Sequence, residues 1–131
     1  MATFRTFEDM EAWRKARQLV EVIYEMSKKT SFARDFGLRD QIRRASVSIT
    51  ANIAEGFERD GTGEFIQFLG MAKGSAGEVR AHLYIAFDQH YIDEQTFDHA
   101  LVMVTDVSRL IRGLMQYLRT TRIRGSKYKY S

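Results

Sequence analysis

Apolar residues recur along this chain at intervals of three and four, and nowhere in the two-residue alternation of a strand. Met10, Trp13, Ala16, Val20 and Ile23, widened by Leu19 and Met26, predict a first helix over about 7–30. Thr6 is placed to cap it, with Glu8 and Asp9 in the first turn, where the helix dipole favours acids. Phe36 and Gly37 read as a short connection into a second helix, about 38–60. Gly61-Thr62-Gly63 breaks the chain, and Thr62 is the expected cap of a third helix, about 63–89. After a turn around His90 to Ile92, Asp93 is expected to cap a fourth, about 94–121. Its Phe97, Leu101, Val104, Ser108, Ile111, Met115 and Leu118 form a heptad-like seam. Four helices of similar length on short loops predict an all-α fold, an antiparallel up-down-up-down four-helix bundle over 1–121. A basic flexible tail, 122–131, follows it.

Two of these helices are apolar on more than one side. In the second, Leu38, Ile42, Ala45, Ile49 and Ile53 share a stripe closed by Gly56, while Val47, Ala51 and Ala54 fall opposite. In the third, Phe65, Leu69, Ala72, Ala76, Val79, Leu83 and Phe87 make the core stripe, and Gly70, Gly74, Gly77 and Ala81 lie across from it. A helix in a small domain needs one apolar stripe, so a second implies a second cover. Glycine costs about 1 kcal/mol inside an exposed helix. A row of glycines is therefore better explained by another helix backbone coming close than by a flexible helix. Both helices therefore call for a second cover beyond the core of their own bundle.

Between the apolar sides lie polar flanks. Arg44, Ser48 and Glu55, with Asn52 beside the core stripe, face one way on the second helix. Ser75, Glu78 and His82, with Met71 alongside, take the equivalent flank of the third. Charges held between covered sides are expected to be paired, which points Arg44 at Glu55 or Glu78, with a subunit boundary as one place for the meeting. Arg39 and Arg43, one turn apart, point elsewhere with Thr50, towards solvent. They read either as phosphate contacts or as a solvated helix face.

Composition narrows the functional classes. The net charge is +3, but Arg122, Arg124, Lys127 and Lys129 fall in the last ten residues, which hold no acid. The body is thus nearly neutral. With Tyr128 and Tyr130 interleaved, the tail suits nucleic-acid contact through phosphate charge and base stacking; its plainer reading is a solvated terminus. There is no Cys, which excludes disulfides and thiolate metal sites and fits a cytoplasmic protein. No run of about 18 apolar residues predicts a membrane span. The acids and Trp13 near the start argue against a secretory signal.

No catalytic pattern emerges. Glu78 and His82 have a spacing that can hold a metal from one helix face, but the further carboxylates of a bundle metal site are missing. Both are expected to sit satisfied by neighbours, with no metal and no cofactor. Ser46, Ser48 and Ser75 have no base in register, and the glycines of GMAKGSAGE follow no strand, so they are not a phosphate loop. The chain reads as a non-enzyme.

With these residues laid out, the chain resembles the four-helix-bundle proteins of the 23S rRNA intervening-sequence family. The resemblance is carried by FEDMEAWRKARQLVEVIY, QIRRASVSITANIAEGFER and FIQFLGMAKGSAGEVRAHL, and extends over roughly residues 7 to 118. NIAEG and GS-x-x-E are its distinctive elements. Where many relatives have Pro, after the Ile of the SI element and before the second helix, this chain has Thr50 and Ala33 or its neighbours, and at position 50 a helix interior is better without Pro. The resemblance implies a ring, with a homopentamer favoured, and no catalysis. The setting of such genes suggests RNA processing or ribosome association. The architecture is also similar to the accessory variability proteins of diversity-generating retroelements, basic pentamers that bind a reverse transcriptase and nucleic acid. Arg44, Asn52, Glu55, Gly74, Ser75 and Glu78 match the family's motif positions, and the role implied for them is structural. Two functions are then expected to compete: a nucleic-acid-binding oligomer, and a protein-interaction scaffold that binds no nucleic acid.

Overall fold

The computed structural model of the chain describes residues 4–121. They form a packed, all-α bundle: α1 (Glu11–Ser27), α2 (Thr30–Arg34), α3 (Phe36–Glu58), α4 (Thr62–Asp88) and α5 (Glu94–Thr121). A single 3-10 turn, Phe7–Asp9, precedes them.

The start of the chain differs from the single first helix expected. The Asp9 carboxylate turns back to accept the backbone N–H groups of Arg5 and Thr6, at 2.8 and 3.1 Å. That closes the 3-10 turn, and Met10 follows in extended conformation with its side chain buried. Only then does α1 begin. The connection expected at Phe36 and Gly37 is instead the first turn of α3, because Asp35 caps it through the Leu38 N–H at 3.1 Å. The true connection is α2, which drives Phe32 into the core. Thr62 is not a cap either: Gly61 holds that position and Thr62 is already helical.

The α4–α5 turn is built around a non-glycine residue in the left-handed region, His90 at φ 62°. Its N–H bonds the Phe87 carbonyl at 3.0 Å and the next N–H, of Tyr91, reaches back to Ala86 at 2.9 Å. This pair of reversed bonds satisfies carbonyls that a helix end leaves open. Tyr91 then stacks on Phe32 and donates its hydroxyl to Asp35 at 2.9 Å. Asp35 thus ties the start of α3 to the α4–α5 turn.

The four long helices close a cycle, α1 on α3, α3 on α4, α4 on α5 and α5 on α1. Neighbours run antiparallel: Phe87 stacks on Phe97 at one end of the α4–α5 seam, and Gly70 lies beside Met115 at the other. Leu19, Ile23, Ile42, Ile49, Ile53, Leu69, Val79 and Leu83 are fully buried between them, each such side chain contributing roughly 1.5–3 kcal/mol. On α5 the core stripe is rotated from the expected seam. Ala100 and Val107 are fully buried, and Leu101, Ser108 and Met115 sit half-buried on its border. No helix among the described residues is long and apolar enough to cross a membrane.

Candidate functional site

The α3–α4 seam carries the polar flanks that the sequence places opposite each other. Ser75 donates to the Ser48 hydroxyl at 3.0 Å, and Asn52 donates to the same oxygen at 3.0 Å and to the Ser48 carbonyl at 2.9 Å. Ser46 is buried and donates to the Arg43 carbonyl. These serines are hydrogen-bonded parts of a seam, with no base among their partners in the described residues.

The charges flanking the seam behave differently from expectation. Arg44 is exposed and forms no ion pair with Glu55 or Glu78 within the chain. Glu55 binds Arg59 instead, one turn along α3, at 2.7 Å. Glu78 is exposed, with His82 Nε2 4.0 Å away, beyond hydrogen-bond reach. That His82 nitrogen is buried without a partner among the described residues, so the expectation that neighbours satisfy it fails. No group of three or more His, Asp or Glu among the described residues is arranged to hold a metal.

Arg39 and Arg43 do not point freely into solvent. The Arg43 Nε donates to Ser27 Oγ at 2.8 Å, and its guanidinium lies 4.6 Å from the centre of the Tyr24 ring. Arg39 bonds the Ala33 carbonyl at 3.1 Å and Asp40 at 3.0 Å, and lies over Phe36. Both sit on the side of α3 that meets α1 and α2, where burial of their stems and these partners draw them inward. Arg122, Arg124, Lys127, Tyr128, Lys129 and Tyr130 lie outside the described residues.

Two glycines of the row, Gly74 and Gly77, are uncovered among the described residues. A Cβ added at Gly74 or Gly77 would meet nothing within 4 Å, and one at Gly70 would meet only the flexible end of Met115 at 3.8 Å. The close approach of backbones occurs at Gly56, where a Cβ would stand 2.7 Å from Phe68 Cβ.

Gly77 opens instead onto a groove of about 320 Å³ between α4 and α5. Lys73 and Arg80 border it from α4, Arg109 and Arg112 from α5, and no acid lines it. Reading the sequence helix by helix misses this site, because its cations come in pairs from two helices that are distant in sequence. The one available signal is the seven-residue spacing of Lys73 and Arg80 around Gly77, which puts all three on one side of α4.

The model of the family described as 23S rRNA-intervening sequence protein matches residues 8–113, from the 3-10 turn to beyond Arg112. The chain belongs to that family. Among solved structures, it is similar to a protein of unknown function from the S23 ribosomal protein family of Bacteroides thetaiotaomicron. The two share 22% identity with a TM-score of 0.74, over 80% of this chain and 95% of that one. This likeness is one of fold. No curated protein matches the chain. The family match takes in the α3–α4 seam and all four groove cations, and leaves out the end of α5 and residues 122–131.

Proposed function

We propose that this member of the family is a non-enzymatic, cytoplasmic, self-associating protein that contacts RNA or DNA through basic surface patches, with a homopentameric ring as its favoured state. The observation that carries the reading is the uncovered outer face of α3 and α4. Val47, Met71 and Ile85 are 40%, 49% and 47% exposed, and Gly74 among them leaves open space above the helix backbone. Small and apolar residues on one face suit a second copy of the chain, whose helix can approach closely. Arg44 borders this face without an ion pair among the described residues, and exposed Glu78 offers a carboxylate on the facing flank. Repetition around a ring would turn weak phosphate contacts into useful avidity.

Light scattering and a salt-dependent gel shift test the two halves. The expected results are an oligomer whose mass falls in Arg44→Ala, and RNA or DNA binding that weakens steeply with salt. A monomeric mass overturns the self-association. An oligomer without nucleic-acid binding at low salt favours the protein-interaction scaffold.

A further inference from the structure

We infer that the groove between α4 and α5 is the seat of the nucleic acid, holding the sugar-phosphate backbone of a single strand. This rests on the nucleic-acid reading above and moves its site away from Arg39, Arg43 and the tail.

Four cations converge on the groove and no carboxylate lines it. Lys73, Arg80, Arg109 and Arg112 are all exposed. Among the described residues only Arg109 of these four has an ion-pair partner, Asp106 at 3.6 Å, and its side chain remains 74% exposed. The contrast with Arg39 and Arg43 decides the assignment, since those guanidiniums are already committed to Ala33, Asp40 and Ser27. A cationic cleft with no internal counter-charge is the electrostatic footprint of a polyanion.

Shape agrees with charge. Gly77 has nothing within 4 Å of its Cβ position, so the α4 backbone forms a bare floor on which a phosphate chain can lie. Lys73 and Arg80 are two helical turns apart, about 10 Å, enough to reach different phosphates of one strand. Ser108, on the α5 side, offers a hydroxyl for phosphate oxygens. One turn beyond Arg80 on the same side of α4 stands Tyr84, 45% exposed, with its ring edge-on to Phe97 at 5.1 Å. An aromatic face beside a row of cations is the pairing that holds single strands, whose bases are free to stack.

The test uses the full-length chain and a labelled single-stranded RNA oligonucleotide, with the DNA strand of the same sequence and the RNA duplex in parallel. Four phosphate contacts predict a slope of log affinity against log salt near about −3 for the single strand. Arg80→Ala with Arg112→Ala should weaken binding about tenfold or more and flatten that slope by about 1.4. The circular dichroism melt should stay unchanged, since both residues are exposed. Tyr84→Ala should weaken the single strand more than the duplex. Wild-type binding that survives the double substitution, but is lost when Arg122, Arg124, Lys127 and Lys129 become Gln, overturns the groove and leaves the nucleic-acid reading standing. Absence of wild-type binding at low salt overturns both. Competition by polyglutamate as effective as by RNA at equal charge overturns the assignment in favour of an acidic protein partner.

Discussion

The Arg43 guanidinium reaches across from α3 to the buried Ser27 of α1 and donates a hydrogen bond at 2.8 Å. Ser27 donates its own hydroxyl to the Ile23 carbonyl at 2.7 Å, which leaves its oxygen as an acceptor, used among the described residues by Arg43. A hydrogen bond from a charged donor contributes about 1.5–3 kcal/mol. Arg43→Ala should therefore lower bundle stability by about 1–3 kcal/mol in urea denaturation, while RNA affinity stays within about twofold. A large loss of RNA affinity with unchanged stability would return Arg43 to the phosphate contacts.

Two glycines make opposite predictions. A methyl at Gly56 meets Phe68 Cβ at 2.7 Å and the Phe65 carbonyl oxygen at 3.3 Å, atoms that no rotamer change can move. Overpacking of this kind costs about 1–3 kcal/mol, more than the roughly 1 kcal/mol that Ala gains over Gly in a helix. Gly56→Ala should destabilise. Gly74→Ala enters open space and should stabilise the bundle by up to about 1 kcal/mol. Gly74→Leu should keep the helical content and lower the oligomer's mass. Denaturation and light scattering on the three variants check the set.

His90 holds φ at 62° to close the α4–α5 turn. An L side chain there costs roughly 1–2 kcal/mol that glycine does not. Because His90 is exposed, His90→Gly should raise the melting temperature, with a gain of about 1 kcal/mol after the entropy that glycine adds to the unfolded chain. A lower melting temperature would mean that its side chain has a role beyond the turn.

The acid limb of stability has identifiable contributors. The Thr96 backbone N–H, then the Thr96 side chain, hold the Asp93 carboxyl below its ordinary value. The N–H groups of Arg5 and Thr6 do the same for Asp9. Groups with depressed folded-state values stabilise the fold above the ordinary aspartate range and lose that contribution as pH falls through it. The melting temperature should thus decline below about pH 4, and Asp93→Asn, which can still cap α5, should make that decline shallower. The opposite sign holds for Tyr91, raised by its bond to Asp35: its contribution persists below about pH 10 and fades in stronger alkali. A flat acid limb in the wild type would refute the assignment.

The all-α architecture was legible because three-and-four periodicity runs unbroken through each long helix. Asp93 was legible as a cap from its place before an apolar run, and its carboxylate bonds the Thr96 N–H. The breaks were less so. Nothing in the pattern separates Met10 from α1, because what interrupts the helix is the Asp9 carboxylate turning backwards. Phe36-Gly37 looks like a loop to propensity, yet Asp35 caps a helix through it. The direction of long cations was the hardest to read. A wheel places Arg43 on a flank but cannot show that the neighbouring helix offers Ser27 and Tyr24 to it. For the same reason it gives no hint that Lys73 and Arg80 share a groove with Arg109 and Arg112.

The tight fit at Gly56 also bears on the order of events when the chain folds. α3 and α4 are joined by a very short turn and pack more extensively on each other than any other pair. Their contacts link residues close in sequence, so little loop entropy opposes them. This hairpin is therefore expected to form first, with α1 and α5 docking on it from either side. Gly56→Ala should accordingly show itself as slower refolding, whereas Arg43→Ala, acting on a helix that arrives later, should show itself as faster unfolding.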